Sequence, residues 1–343
     1  MAEIANFAPQ MTKIGKIIGI SLLLVLGAAP LAAQRQGYVI SPRNGESALS
    51  EASVRETVRL LTDPDGGGRA TGTEGGKKTA FWLESQFRQS GLQPLGGAYL
   101  HGFETEKGRM GRNVIGLVPG SGTASRYILV MAHFDNLGVL DGTLYPGADS
   151  NASGVAALLE IGRMFVRMNE CGKTYADGII LAALDGKEQS LSGANHLLRV
   201  LQEGHLTEPA TGRTIGLEDI CLVVNLDQLG TTLAPLSKGN PHYLMMLSEA
   251  ATGHRESALA VNKAQGLDLE LAWDYYGSKD FTKLFYRRIS DQRPFLEAGV
   301  PAVMFTSGIT LNNNKPWDNA DSLDYPVLLR RIRLIFYFIE RIR

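Results

Sequence analysis

Tyr127-Ile128-Leu129-Val130-Met131-Ala132-His133-Phe134-Asp135, followed by Gly147-Ala148-Asp149-Ser150-Asn151-Ala152-Ser153-Gly154-Val155-Ala156, decides how this chain folds. From Tyr127 to Ala132 the residues are apolar without interruption, as in a strand covered on both faces rather than one that alternates between core and water. The run stops on an imidazole. The second stretch is a turn-forming Gly/Asp/Asn segment that passes into apolar residues at helical spacing. The same alternation recurs along the chain. Strands are predicted over residues 113–118, 127–132, 178–184, 220–226 and 301–305, and helices over 50–61, 77–87, 152–168, 191–201 and 326–342. Such alternation predicts an α/β three-layer sandwich, with a mostly parallel central sheet flanked by helices and ligands gathered at the carboxyl ends of the strands.

Around that core the composition is even-handed. Lys plus Arg number 34 against 35 Asp plus Glu, so no basic field points to nucleic acid or anionic lipid. Lys13 and Lys16 precede an apolar run over 17–26 and a small, Ala-rich stretch over 27–33, the pattern of a secretory signal. Residues 1–33 are expected to be removed, leaving a single domain over 34–343, secreted or periplasmic, with no stable membrane span. A retained anchor is the alternative. Cys171 and Cys221 have no CxxC spacing and can form one disulfide or remain two thiols. The glycine-dense segment 63–76 lacks the Gly-Lys-Ser/Thr ending of a phosphate loop and reads as a surface connection. The last helix carries interleaved arginines, expected to form a solvated face.

His133, Asp149, Glu188 and Asp227 all fall at or just beyond predicted strand ends. Singly, each has an ordinary structural role: a core histidine, an acidic helix cap, a loop carboxylate. Together they are imidazole and carboxylate ligands converging on one sheet edge, which points to a divalent metal, zinc first.

The quoted stretches resemble the metal-binding signature of the secreted zinc aminopeptidases and their glutaminyl cyclase relatives. Further matches follow in order: Asp185-Gly186-Lys187-Glu188-Gln189, Asn225-Leu226-Asp227-Gln228-Leu229-Gly230, Ser290-Asp291-Gln292-Arg293-Pro294-Phe295, and the stretch 318–325. The resemblance implies two zinc ions bridged by Asp149, the first also held by His133 and Asp227, the second by Glu188 and a histidine near the C-terminus. Three departures follow from the same alignment. Asn314 stands at that histidine position, Lys187 stands where the family carries the glutamate that takes a proton from water, and Gln292 replaces a substrate-facing histidine. The resemblance therefore implies one zinc or none rather than two. The expected function is that of an exported aminopeptidase-like protein with a degenerate metal centre, impaired in catalysis and acting by binding a peptide or protein. The alternative is an active aminopeptidase with an atypical one-zinc site; glutaminyl cyclase activity ranks behind both.

Overall fold

The run that ends on His133 is a strand buried along its whole length, and it lies in the middle of a nine-stranded sheet. In chain order the sheet consists of β1 (Gln93–Pro94), β2 (Leu100–Glu104), β3 (Met110–Val118), β4 (Tyr127–His133), β5 (Gly178–Leu184), β6 (Ile220–Leu226), β7 (Tyr243–Ser248), β8 (Glu270–Ala272) and β9 (Ala302–Thr306). The computed structural model describes residues 41–121, 126–249 and 253–343, and the expected signal segment lies outside them. Strand order is β1-β3-β5-β4-β6-β9-β7-β8, with β2 paired to β3. The central four, β5-β4-β6-β9, are parallel. Antiparallel pairs flank them, β3 on β5 and β7 on β9.

The principal helices are α1 (Glu51–Leu61), α2 (Glu74–Gln89), α3 (Ser153–Glu170), α4 (Ser192–Gln202), α5 (His254–Ala264) and α6 (Tyr325–Ile342). Alternate residues of β4 serve opposite layers. Ile128, Val130 and Ala132 pack with α1, α2, α3 and α6 on one face; Tyr127, Leu129 and Met131 pack with α4 on the other. Each fully buried Leu, Ile or Phe contributes roughly 1.5–3 kcal/mol of transfer free energy, so both layers are strongly held.

From β4 the chain crosses through α3 to β5 on one side, then returns through α4 to β6 on the other. That reversal opens a crevice at the carboxyl ends of β4 and β6, where open α/β sheets take their ligands. His133 ends β4, and Asp227 follows β6.

Two expectations need correction. The 63–76 segment turns inward as well as across the surface, because Arg69 and Thr71 are both buried beneath the site. The face of α6 is not uniformly solvated either: Arg331 is fully buried, with Nε donating to the Tyr243 carbonyl at 2.8 Å and Nη1 to the Leu229 and Thr231 carbonyls at 2.7 and 2.8 Å. In both cases a guanidinium finds clustered backbone acceptors in the interior. Helix α2 starts earlier than its apolar pattern because the Thr73 side chain caps it by accepting from the Gly76 amide. Cys171 and Cys221 are free thiols. Among the described residues no helix is long and apolar enough to cross a membrane.

Candidate functional site

His133 is held by its own strand end. Its Nδ1 lies 3.0 Å from the Asp135 carbonyl and 3.6 Å from Asp135 Oδ1, which leaves Nε2 facing the crevice, 3.5 Å from Asp227 Oδ1. Asp135 also organises the loop after β5, since its carboxylate accepts the Lys187 and Glu188 amides, each at 3.0 Å. Asp149 is fixed differently. Its Oδ1 accepts from the amides of Gly230 (2.7 Å) and Thr231 (3.2 Å) and from Ser153 Oγ (3.2 Å). The Asp149 and Ser150 amides in turn donate to the two oxygens of Asp318. Asp227 Oδ2 accepts from Ser290 Oγ at 2.6 Å.

The Lys187 ammonium enters between two of these carboxylates. Its Nζ lies 3.7 Å from Asp227 Oδ2 and 3.7 Å from Glu188 Oε1. Burial opposes the charge, but Asp227, Glu188, Asp291 and Asp135 outweigh burial and hold the lysine more firmly protonated than usual. Burial alone would raise the Asp227 carboxyl; Lys187, His133 and Ser290 reverse that and keep it below the ordinary carboxylate range. For His133, burial and Lys187 disfavour the charged ring, yet the neighbouring carboxylates of Asp135 and Asp227 prevail and raise it to about 9. Burial pushes Asp149 up to about 7, with Asp318 adding to the shift.

Asp291 lies in the 290–295 motif, and nothing in its local sequence distinguishes it as a site residue. It is fully buried, neither of its oxygens has a hydrogen-bond partner, and burial pushes it up to about 7 against the pull of His133 and Lys187. Gln292, also fully buried, accepts from Asn225 Nδ2 at 2.7 Å and donates to the Tyr286 carbonyl at 2.5 Å. Asn225 and Ser290 then link it to Asp227. Asn314 sits half-buried in a turn at φ 56°, and its neighbour Asn313 accepts from Gln228 Nε2 at 2.5 Å, next to Asp227.

Zinc can be tested against these residues by their unused valences. His133 Nε2, Asp149 Oδ2 and Asp227 Oδ1 are buried without a hydrogen-bond partner. The 3.5 Å between His133 Nε2 and Asp227 Oδ1 is close to the roughly 3.3 Å that separates two ligands on a tetrahedral zinc with bonds of about 2.0–2.1 Å. That pair fits an ion, with Asp149 as the third donor of suitable type. Among the described residues no three His, Cys, Asp or Glu side chains are yet gathered closely enough to enclose one. The Glu188 side does not fit, because an ammonium already stands beside it.

Residues 113–339 match the profile of peptidase family M28. The chain belongs to that family. Its relatives include a probable zinc metalloprotease of Pyrenophora tritici-repentis, 26% identical over 86% of this chain and 73% of that protein. A second fungal probable zinc metalloprotease, from Leptosphaeria maculans, is 24% identical over 57% of this chain and 46% of its own length. The zebrafish (Danio rerio) BOS complex subunit ncln is 30% identical over 43% of this chain and 27% of its own. This M28 chain thus spans less than half of the latter two. Among solved structures, a zinc aminopeptidase of Bacillus subtilis superposes with TM-score 0.62 at 15% identity, over 85% of this chain and 95% of that one. The glutaminyl cyclase of Porphyromonas gingivalis gives TM-score 0.62 at 19%, over 86% and 99%. At these identities the likeness is one of fold, and it matches the α/β sandwich with its parallel centre.

Proposed function

We propose that this M28 protein is exported and binds a peptide, or a peptide segment of a protein, at the carboxyl edge of its sheet, and that it hydrolyses the peptide poorly or not at all. In the same reading zinc is held as a single ion at most, by His133, Asp149 and Asp227. The observation that carries the proposal is the ammonium of Lys187 beside Glu188 and Asp227. A general base must accept a proton. Lowering a lysine from about 10.4 to about 7 requires on the order of 4–5 kcal/mol of bias toward the neutral form. Here the surrounding carboxylates push the other way.

A second reading, an active one-zinc aminopeptidase, is favoured by the unused valences of His133, Asp149 and Asp227 and by the metalloprotease relatives. Elemental analysis of the purified mature protein, beside hydrolysis of aminoacyl and dipeptide substrates with and without zinc, separates the two. We expect one zinc or less per chain and no chelator-sensitive turnover. Chelator-sensitive cleavage at ordinary peptidase rates would overturn the proposal.

A further inference from the structure

We infer that the cavity between the helical turn Arg43–Glu46 and helix α6 is an anion site, suited to the phosphate group of a small organophosphate such as a glycerophosphate. None of the residues that form the crevice at the sheet edge lines it, so the inference does not rest on peptide binding.

The walls are fixed by packing. Arg330, Arg333 and Tyr337 lie on one face of α6, at i, i+3 and i+7 spacing. Gly45 lets the turn Arg43–Glu46 press against that helix and against α3: a Cβ there would stand 2.7 Å from Phe336 Cζ and 2.8 Å from the Met164 carbonyl oxygen. Residues 265–267, where α5 ends, form the third side, and Gly266 at φ 58° turns the chain away from the helix. The cavity between them has a volume of about 510 Å³.

Its charge is unbalanced. Arg43, Arg330 and Arg333 line it, with Glu46 as their carboxylate among the described residues. Glu46 is already committed, since Oε1 pairs with Arg333 Nε at 2.8 Å and Oε2 accepts from the buried Tyr337 hydroxyl. Arg330 donates from Nη1 to the Leu267 carbonyl at 3.2 Å, which anchors the guanidinium at the cavity wall. Among the described residues its Nε and Nη2 have no acceptor, and the Arg43 guanidinium has neither a hydrogen bond nor an ion pair. Two guanidinium groups on different walls therefore keep forks of N–H donors free, and such forks match the oxygens of a phosphate. The volume leaves room for an organic group beside the phosphate. Ser47 and Gln265 also line the cavity and supply neutral partners for hydroxyl groups on that part. A free glycerophosphate and the headgroup of phosphatidylglycerol offer the same chemistry.

The test titrates the full chain with glycerol 3-phosphate by calorimetry at low and high salt, and measures its retention on phosphatidylcholine vesicles with and without phosphatidylglycerol. Saturable binding that weakens with salt is expected, in calorimetry for a free ligand or on the phosphatidylglycerol vesicles for a headgroup. Arg330→Gln is expected to lower the affinity on the order of tenfold or more, because charge-assisted hydrogen bonds are lost. Arg43→Gln, at an exposed position, should lower it roughly threefold and leave melting unchanged, so it carries the test if Arg330→Gln does not fold. Arg288→Gln, which removes an exposed arginine outside the cavity, should bind as wild type. No saturable binding in either arm, or binding that both cavity variants leave equal to wild type, would overturn the inference.

Discussion

Arg69→Met is expected to destabilise the protein by about 4 kcal/mol or more, a loss on the order of 10 °C in melting temperature. The guanidinium is buried and makes its bonds to four main-chain carbonyls. Nε donates to Phe134 at 2.7 Å, Nη1 to Pro146 at 2.6 Å and also to Leu61, and Nη2 to Gly147 at 2.9 Å. Phe134 lies between His133 and Asp135, Gly147 lies just ahead of Asp149, and Leu61 ends α1. One side chain therefore ties the end of the central strand to the Asp149 loop and to the first helix. Methionine fills much of the volume but donates nothing, and each buried carbonyl left unpaired costs about 1–3 kcal/mol, with incomplete additivity. Lysine should recover only part of the loss, because a single ammonium cannot reproduce a planar fork of donors aimed at separate carbonyls. Denaturant melts of both variants provide the check. A methionine variant within 1 kcal/mol of wild type would mean that solvent or a relaxed loop satisfies those carbonyls.

What could be read from the sequence follows from how local each signal is. The central strands were legible because burial on both faces writes an unbroken apolar run, and the strands found at Gly178–Leu184 and Ile220–Leu226 coincide with the predicted ones. His133 and Asp227 were legible for the same reason, as polar residues that end such runs. The outer sheet was not. Strand β8 has only three half-buried residues, and β7, although buried, has neighbours whose antiparallel and parallel pairing leaves no mark on its own composition. Arg69 and Arg331 were missed because their partners are backbone carbonyls, which every sequence offers everywhere. Asp318 reaches the Asp149 loop across 169 residues, with nothing local to announce it. The loop holding Asn313 and Asn314 has no periodicity to set its register. The structure joins Asn313 to Gln228, one residue from the position the sequence alignment singled out.

Gly147→Ala should cost about 3 kcal/mol and loosen the Asp149 end of the site with it. The residue sits at φ 63°, where a side chain is already strained by roughly 1 kcal/mol. A Cβ there would also collide with Asn136 Nδ2 and lie 2.5 Å from the Ser150 carbonyl oxygen. Asn136 cannot swing away freely. Its amide donates to that same Ser150 carbonyl, and its Oδ1 accepts from the Leu137 amide. The Gly147 carbonyl is an Arg69 acceptor, so a shift to relieve the collision strains that bond too. Gly142→Ala supplies the control: its φ is 77° and nothing lies within 4 Å of the added carbon, so only the backbone term of about 1 kcal/mol applies. Melting the two variants side by side separates collision from conformational strain. Equal losses would show that the Asn136–Ser150 contact yields without cost, and a threefold larger loss at Gly147 would show that the loop before Asp149 is set by packing rather than by glycine's backbone freedom alone.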